Sequence, residues 1–386
     1  MVSSVSNRGI FRQIQPYLVH RKDLGLAFCG SHVESLTDVS CPSGLKYYAA
    51  DPTTTAIIDH NLKWAIGERA KPAFQFAYLM LPTLCNQACR GCFMGQDKRL
   101  LPGRLKGSHF DPTELDSILS FLREHSAKAV VYGGGGELFT WSGAFSLIRQ
   151  IVDNGLAMVI FTNGVLLRKD DVDRLNDLGV SLIVSMRDTV EAYHDSAVGR
   201  KGFRATLETI DNALAAGFQE DQRLAVEIPV TTDNDERVIN DFLPVMRALG
   251  IVPLIEEYIQ LSTSAEEKQL CHGFAHSRRF FERACEMDRS LGFRWKPEFG
   301  QRIIAQPRCR RPLYSFAVFP SRDVVDCPSH TTCYGNLHQA TLSDIIYSDR
   351  FRQALLAYQL CPCSVFYTPE QAALPPDLPD QLEDFV

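Results

Sequence analysis

The stretch Phe74-Gln75-Phe76-Ala77-Tyr78-Leu79-Met80-Leu81, running into Pro82-Thr83-Leu84-Cys85-Asn86-Gln87-Ala88-Cys89-Arg90-Gly91-Cys92, organises the chain. Its first eight residues are apolar and aromatic almost without interruption, which is the pattern of a buried strand. Pro82 and Thr83 end that strand. Three cysteines spaced C-x3-C-x2-C therefore lie on a loop at a strand's C-terminal end. Three thiolates on one loop can each hold an iron of a cubane and leave the fourth iron an open position, as catalytic metal sites do. Three ligands of a zinc site completed from elsewhere are the alternative.

From Phe74 onward strand and helix alternate. Asp111-Pro112-Thr113-Glu114 opens a helix, with Asp111 as N-cap and Pro112 at the first helical position. Strands are predicted at 128–132, 156–161, 180–185, 224–230 and 251–259. Helices are predicted at 144–153, 169–178, 202–216 and 236–249. Six apolar strands separated by five amphipathic helices imply a parallel sheet covered by helices, with ligands at the strands' C-terminal ends. Residues 55–66 suit a strand or a short helix, and 265–291 a helix. Beyond Arg308 short strands take over, with a hairpin around Pro320-Ser321-Arg322 and a helix over 342–358. The tail from Pro369 is rich in Pro, Asp, Glu and Leu and is expected to be loosely ordered.

The 386 residues carry a net charge of −6, so no general polyanion-binding face and no nucleic-acid partner are expected. No run is apolar enough to span a bilayer, and the N-terminus has no signal-peptide core, so a cytoplasmic protein is expected. Twelve cysteines are many for such a chain. In a reducing compartment they read as metal ligands or free thiols before disulfides. Cys29, Cys41, Cys271 and Cys285 are scattered and read first as packing residues.

Taken together, the motifs at successive strand ends resemble the radical S-adenosylmethionine (radical SAM) superfamily and its SPASM/twitch branch. Cys85, Cys89 and Cys92 match the ligands of the radical SAM [4Fe-4S] cluster. Tyr132-Gly133-Gly134-Gly135-Gly136-Glu137 resembles the motif that binds the methionyl amino group. The physical need is backbone carbonyls close to an ammonium, which glycines permit, and a carboxylate beside it. Phe161-Thr162-Asn163-Gly164 ends the next strand. Ser185-Met186-Arg187-Asp188, with Arg200 further on, resembles the run that meets the cofactor's ribose and carboxylate. The resemblance thus implies cofactor contacts at Gly134, Gly135, Gly136, Glu137, Thr162, Asn163, Ser185 and Arg200. One position departs from the pattern. Members usually carry an aromatic residue directly before the third cysteine, near the adenine; here it is Gly91, and Phe93 is the candidate substitute.

Cys309, a hairpin, Cys327, Cys333, a helix and then Cys361 and Cys363 resemble the twitch element. The resemblance implies one auxiliary [4Fe-4S] cluster held by four of these five cysteines, a structural zinc site being the alternative. The family's hairpin glycine is replaced by Arg322. The fold expected is α/β: a partial (β/α)6 TIM-like barrel with a C-terminal cysteine-rich twitch/SPASM-like subdomain. The domains expected are an N-terminal extension or cap over 1–72, the barrel over 73–292, the auxiliary-cluster subdomain over 293–368 and a tail over 369–386.

Glu256, Glu257 and Tyr258 close the sixth strand and are candidates for substrate binding or acid–base work, against ordinary core or surface placement. Cys271 and Cys285 are weaker candidates as hydrogen-atom donors, and His272 with His276 as a metal pair. The implied activity is reductive cleavage of S-adenosylmethionine to a 5′-deoxyadenosyl radical, which abstracts hydrogen from an unactivated C–H bond. A flavodoxin or ferredoxin would supply the electron. Residues 1–72 show no leader-peptide-binding pattern, which tilts the substrate towards a small polar natural product. A ribosomally made peptide is the second reading, and a non-catalytic zinc or iron–sulfur protein a third.

Overall fold

The computed structural model describes residues 52–82, 84–92, 107–220, 223–258, 269–270, 274–291, 311–328 and 333–357. Strand β1 (Phe76–Leu79) is buried at every position. Five further strands run parallel with it: β2 (Ala129–Tyr132), β3 (Ala157–Thr162), β4 (Ser181–Ser185), β5 (Leu224–Val230) and β6 (Val252–Glu257). Between them lie helices α2 (Pro112–Glu124), α3 (Ala144–Asp153), α4 (Lys169–Asp177), α5 (Glu191–Val198) and α6 (Phe203–Ala215), then α7 (Asp235–Arg237) and α8 (Leu243–Ala248). Strands β1, β2 and β5 are buried along their whole length, as apolar strands covered on both faces must be.

The helix starts follow the local chemistry. In α2 the Asp111 carboxylate accepts from Glu114 N–H at 2.9 Å, and Leu115, Ile118, Leu119 and Leu122 fall on one buried face. The region between β4 and β5 holds two helices where the sequence pattern predicts one. The run Gly199-Arg200-Lys201-Gly202 breaks the helix, and one oxygen of Asp195 accepts from Gly202 N–H and Phe203 N–H, each at 2.9 Å, to start the second. The helix predicted over 236–249 contains a π-helical turn, Val238–Phe242. Pro244 follows it; proline offers no N–H to the preceding turn and crowds the carbonyl four residues back, so the turn widens. The helix predicted over 342–358 is also divided, into α10 (Leu342–Ile346) and α11 (Asp349–Ala357), after α9 (Phe274–Ser290). Thr341 and Asp344 cap the first reciprocally, and the Ser348 hydroxyl accepts from Phe351 N–H at 3.2 Å to start the second.

The predicted C-terminal hairpin is present, but it does not stand apart. Strand β7 (Ser315–Val318) pairs parallel with β1. Strands β8 (Asp323–Val325) and β9 (Cys333–Asn336) continue antiparallel, giving one nine-stranded sheet ordered β6-β5-β4-β3-β2-β1-β7-β8-β9. The segment 55–66, open to two readings in the sequence, belongs to helix α1 (Pro52–Ala65). Its Trp64 is fully buried and packs its ring against Tyr347 at 5.7 Å and Phe351 at 6.2 Å. In a flat sheet β1 and β6 would lie about 24 Å apart, five spacings of about 4.8 Å. Yet Tyr258, just past β6, packs on Gly91, in the loop past β1. The sheet is therefore rolled into a partial barrel. Among the described residues no helix is long and apolar enough to cross a membrane.

The hairpin turn is fixed by Arg322, which takes the left-handed backbone conformation (φ 69°) with a full side chain. Its guanidinium grips Glu114 at 2.5 and 2.9 Å, donates to the carbonyl oxygens of Ser108 and Pro320, and lies 4.5 Å over the Phe110 ring. This buried pair ties the hairpin to the start of α2. Replacing Arg322 by glycine relieves the backbone but strands the Glu114 carboxylate. Relief is worth about 1 kcal/mol, against roughly 3–5 kcal/mol for a broken buried pair. A net loss of about 2–4 kcal/mol is expected, read as a lower urea midpoint at unchanged slope. A variant as stable as wild type would show that the turn conformation, not the guanidinium, governs this corner.

Candidate functional site

The cysteine loop lies where β1 ends, and three neighbouring strand or helix ends hold it. From the end of β2, Glu137 N–H and the Thr140 hydroxyl both donate to the Leu84 carbonyl, at 2.8 and 3.0 Å. From the end of β3, the Asn163 amide donates to the Asn86 side chain at 2.7 Å. From the end of α5, the carbonyls of Val198 and Ala197 accept from Ala88 N–H and Arg90 N–H at 2.9 and 2.8 Å. Cys85 is exposed, and Cys89 and Cys92 are half-buried.

The glycine run after β2 is built for close approach. Gly134, Gly135 and Gly136 have φ of 122°, 96° and 143°. A Cβ on Gly135 would stand 2.5 Å from the Leu81 carbonyl oxygen, so a side chain there would drive the glycine turn off β1. Glu137, which closes the run, turns inwards. Its carboxylate accepts from the Thr162 hydroxyl and Asn163 N–H, each at 2.8 Å, and from Phe139 N–H at 3.4 Å. Burial pushes this carboxyl above the usual carboxylate range, and those donors pull it only part of the way back. Leu138 N–H is a fourth donor, so the carboxylate's four or so lone pairs are taken up within the fold. Glu137 thus fastens β2 to β3, with Thr162 and Asn163 as its partners.

Arg187, two residues past β4, lies in the Ser185–Asp188 run quoted from the sequence but not singled out there as a site residue. Its side chain hydrogen-bonds Cys89 and interacts electrostatically with Cys92 and the buried Glu227 of β5. Burial works against its charge, and Glu227, Cys89 and Cys92 more than restore it, so the guanidinium holds its proton more firmly than usual. The available signals were a cation at the C-terminal end of an apolar strand and a lone acid inside another. Partial desolvation by its neighbours raises the Cys85 thiol although the residue reaches solvent; a backbone hydrogen bond from Gln87 opposes this, while Cys89, Glu137 and Cys92 add to it. A cation beside thiols that must ionise suits a centre carrying several thiolates. Among the described residues no three Cys, His, Asp or Glu side chains close around a single ion. Thiolates that each hold a separate iron of a cubane need not be so gathered. The donor set and its neighbouring cation fit a [4Fe-4S] cluster.

Other predicted residues fall as follows. Thr162 and Asn163 are buried beside Glu137, and Ser185 is half-buried where β4 ends. Arg200 is exposed on the turn between α5 and α6. Tyr258 is buried against the cysteine loop and Glu256 is half-buried. Cys327 and Cys333 bracket the β8–β9 connection, at the hairpin end away from its turn. Phe93, Cys309, Cys361, Cys363, Cys271 and His272 lie outside the described residues, as do the side chains of Glu257 and Cys285. His276 is exposed and pairs with Asp235 at 2.9 Å.

His194 braces Arg187 from behind. Its Nδ1 accepts from Arg187 N–H at 3.2 Å, and its ring packs on Phe203. Burial, helped by Arg187 and opposed by Asp195 and Asp188, pushes its pKa down to about 4. The unfolded chain therefore takes up a proton near pH 6.5 that the folded chain refuses until about pH 4. This cost is absent above pH 6.5, grows as pH falls through that window and is complete below it. Between pH 7.5 and 5.5 it amounts to about 1.4 kcal/mol. Urea midpoints of His194→Asn, which keeps an acceptor without the titration, should fall less over this interval than those of wild type. Parallel profiles would remove His194 as the cause.

Comparison with known proteins agrees with this geometry. Residues 80–242 match the radical SAM superfamily. The chain is 22% identical over 318 residues to the tungsten-containing aldehyde ferredoxin oxidoreductase cofactor-modifying protein of Pyrococcus furiosus, covering 72% of this chain and 82% of that one. It is 29% identical over 173 residues to the AdoMet-dependent heme synthase of Methanosarcina barkeri, covering 44% and 46%. Among solved structures, Streptococcus suis SuiB bound to S-adenosylmethionine superposes with a TM-score of 0.57 at 15% identity, over 79% of this chain and 70% of that one. Native anSMEcpe with bound AdoMet and the Cp18Cys peptide superposes at 0.53 and 14%, over 72% and 81%. The cysteine loop, the glycine turn and Glu137 thus converge inside residues 80–242, the segment of this chain that matches the radical SAM superfamily.

Proposed function

We propose that this enzyme directs a radical at a C–H bond of a peptide and uses a second iron–sulfur cluster to take up the electron left on the substrate. The observation that carries the catalytic half is the meeting of Cys85, Cys89 and Cys92 with Arg187 and the Gly134–Glu137 turn at neighbouring strand ends. When bound there, the [4Fe-4S] cluster and S-adenosylmethionine supply a 5′-deoxyadenosyl radical that removes a hydrogen atom from the substrate. The three cysteines hold the cluster. Gly134, Gly135 and Gly136 offer backbone carbonyls to the methionyl ammonium, with Glu137 fixing their turn against β3. Ser185, Arg187 and Arg200 would meet the cofactor's ribose and carboxylate. The rolled sheet excludes water and sets distance, so the radical meets one bond.

The peptide reading replaces the small polar substrate that the sequence favours. Its support is that SuiB was solved with its precursor peptide SuiA and anSMEcpe with the Cp18Cys peptide, on folds like this one. The small-molecule reading keeps one specific support: the Pyrococcus furiosus relative, matched over 82% of its length, is named as cofactor-modifying. The second cluster rests on Cys327 and Cys333, which share one hairpin end, together with Cys309, Cys361 and Cys363. That hairpin end is opposite the Pro320–Arg322 turn, and β7 runs parallel with β1, so Cys327 and Cys333 lie away from the radical SAM loop. This placement suits an electron acceptor better than a cofactor-binding centre. A flavodoxin or ferredoxin suits the role of reductant.

The anaerobically reconstituted, dithionite-reduced protein should release 5′-deoxyadenosine from S-adenosylmethionine, and Cys89→Ala should not. Iron and sulfide should approach about eight of each per chain; about four would remove the second cluster. A short peptide encoded beside this chain's gene should raise the 5′-deoxyadenosine yield more than a panel of sugars, nucleosides and tetrapyrroles. The reverse order would restore the small-molecule substrate.

A further inference from the structure

The backbone around Arg187 is fixed from three sides. His194 Nδ1 accepts from the Arg187 N–H at 3.2 Å, and the Asn234 amide donates to its carbonyl at 3.0 Å. The next residue, Asp188, accepts from Arg237 Nε and Nη2 at 2.9 and 2.5 Å. The same Asn234 amide donates to the Pro229 carbonyl at 2.9 Å, so the ends of β4 and β5 share one bracket. Asp188 is thereby engaged with Arg237, and the acid acting on Arg187 is Glu227. Glu227 is the one charged residue within β5; it is buried, and it pairs in register with Ser185. From this frame the Arg187 guanidinium hydrogen-bonds the sulfur of Cys89. The Cys89 thiol also donates to the Gln87 side chain at 3.5 Å, a bond that a thiolate gives up. The arginine bond is the one that ionisation of Cys89 strengthens.

Packing alone does not require this arrangement. A buried ion pair gives little stability that apolar residues of the same size would not, yet the fold keeps this one where the thiolates gather. A cluster held by three thiolates becomes more negative when it takes up an electron. A cation bonded to one ligand sulfur stabilises that added charge, and a buried anion beside the cation opposes it. We propose that Arg187 and Glu227 form an opposed pair that sets the reduction potential of the cluster on the Cys85–Cys92 loop, Arg187 raising it through Cys89 and Glu227 limiting the rise. The reaction asks two things of that cluster: it accepts one electron from a reductant and then gives it up to a sulfonium. Arg187 favours the first and Glu227 the second. The electron is the reductant's, and neither side chain gains or loses a proton. The inference rests on the reading of the three cysteines as ligands of a [4Fe-4S] cluster.

The test is an anaerobic redox titration of the reconstituted protein without S-adenosylmethionine, so that contacts to the cofactor do not enter. The readout is the electron paramagnetic resonance signal of the reduced cluster that Cys89→Ala lacks. Arg187→Met should lower the midpoint at wild-type iron content, by about tenfold in the one-electron equilibrium, or about 59 mV. Glu227→Gln should raise it, by about threefold in the same equilibrium. The double variant should lie between the two single ones. A pair that only braces the strands predicts no such opposition. Three results overturn the proposal: an unmoved midpoint in Arg187→Met, single variants that shift it in the same direction, and a double variant outside the range of the two. If Arg187→Met loses iron, Glu227→Gln decides alone: a raised midpoint supports the pair, and an unchanged or lowered one overturns it. A wild-type protein whose signals all persist in Cys89→Ala overturns the cluster reading, and this inference with it, whereas misplaced midpoints in the variants overturn this inference alone.

Discussion

The buried carboxylate of Glu137 is the contact on which the site depends. It joins the ends of β2 and β3 through the Thr162 hydroxyl and Asn163 N–H, and its own N–H holds the Leu84 carbonyl immediately before Cys85. Hydrogen bonds to a charged group contribute about 1.5–3 kcal/mol each, more than neutral ones. Burying the acid costs part of that, as its raised pKa records. What remains is positional: a flexible thiol loop is set against two strand ends that are themselves fixed by the sheet. Asn163 then extends the same support to Asn86 inside the loop.

Much of this was legible in the sequence because it is local. Apolar strands buried on both faces, the Asp111-Pro112 cap and the glycine turn declare themselves within a few residues of one another. The cysteine spacing and its position after β1 needed no tertiary information either. What escaped depends on pairings across the chain. Nothing near Ser315-Phe316-Ala317-Val318 says that its partner is β1, more than two hundred residues earlier. The split of 342–358 turns on one serine hydroxyl used as a cap, which a helical pattern does not reveal. Arg187 was quoted only within the Ser185–Asp188 run, because its partners, Glu227 and Cys89, come from other units. The contact of Tyr258 with Gly91 exists only once the sheet is rolled.

One sheet holds two groups of cysteines apart. The loop after β1 opens at the strands' C-terminal ends, where the superfamily domain gathers its polar groups. Cys327 and Cys333 belong to a hairpin that reverses direction, and so they face the other end. Strands of four residues span about 13 Å, a distance set by the backbone and not adjustable by side chains. Arg322 fixes the hairpin to α2, so the two ends keep one spacing.

The parallel pairing of β1 with β7 also orders events in time. Phe76 meets Ser315 in the sheet, and Trp64 meets Phe351 in the core. During synthesis β1 has β2 beside it early, but its other edge stays bare until nearly all of the chain has emerged. An unpaired apolar edge invites association with other chains, and contacts this distant in sequence form slowly. The strand left waiting is the one that carries the thiols. Premature folding or crowding on the ribosome would thus expose cysteines and a sticky edge together, so yield should respond to translation speed and to chaperones that shield strand edges more than to the final stability of the barrel.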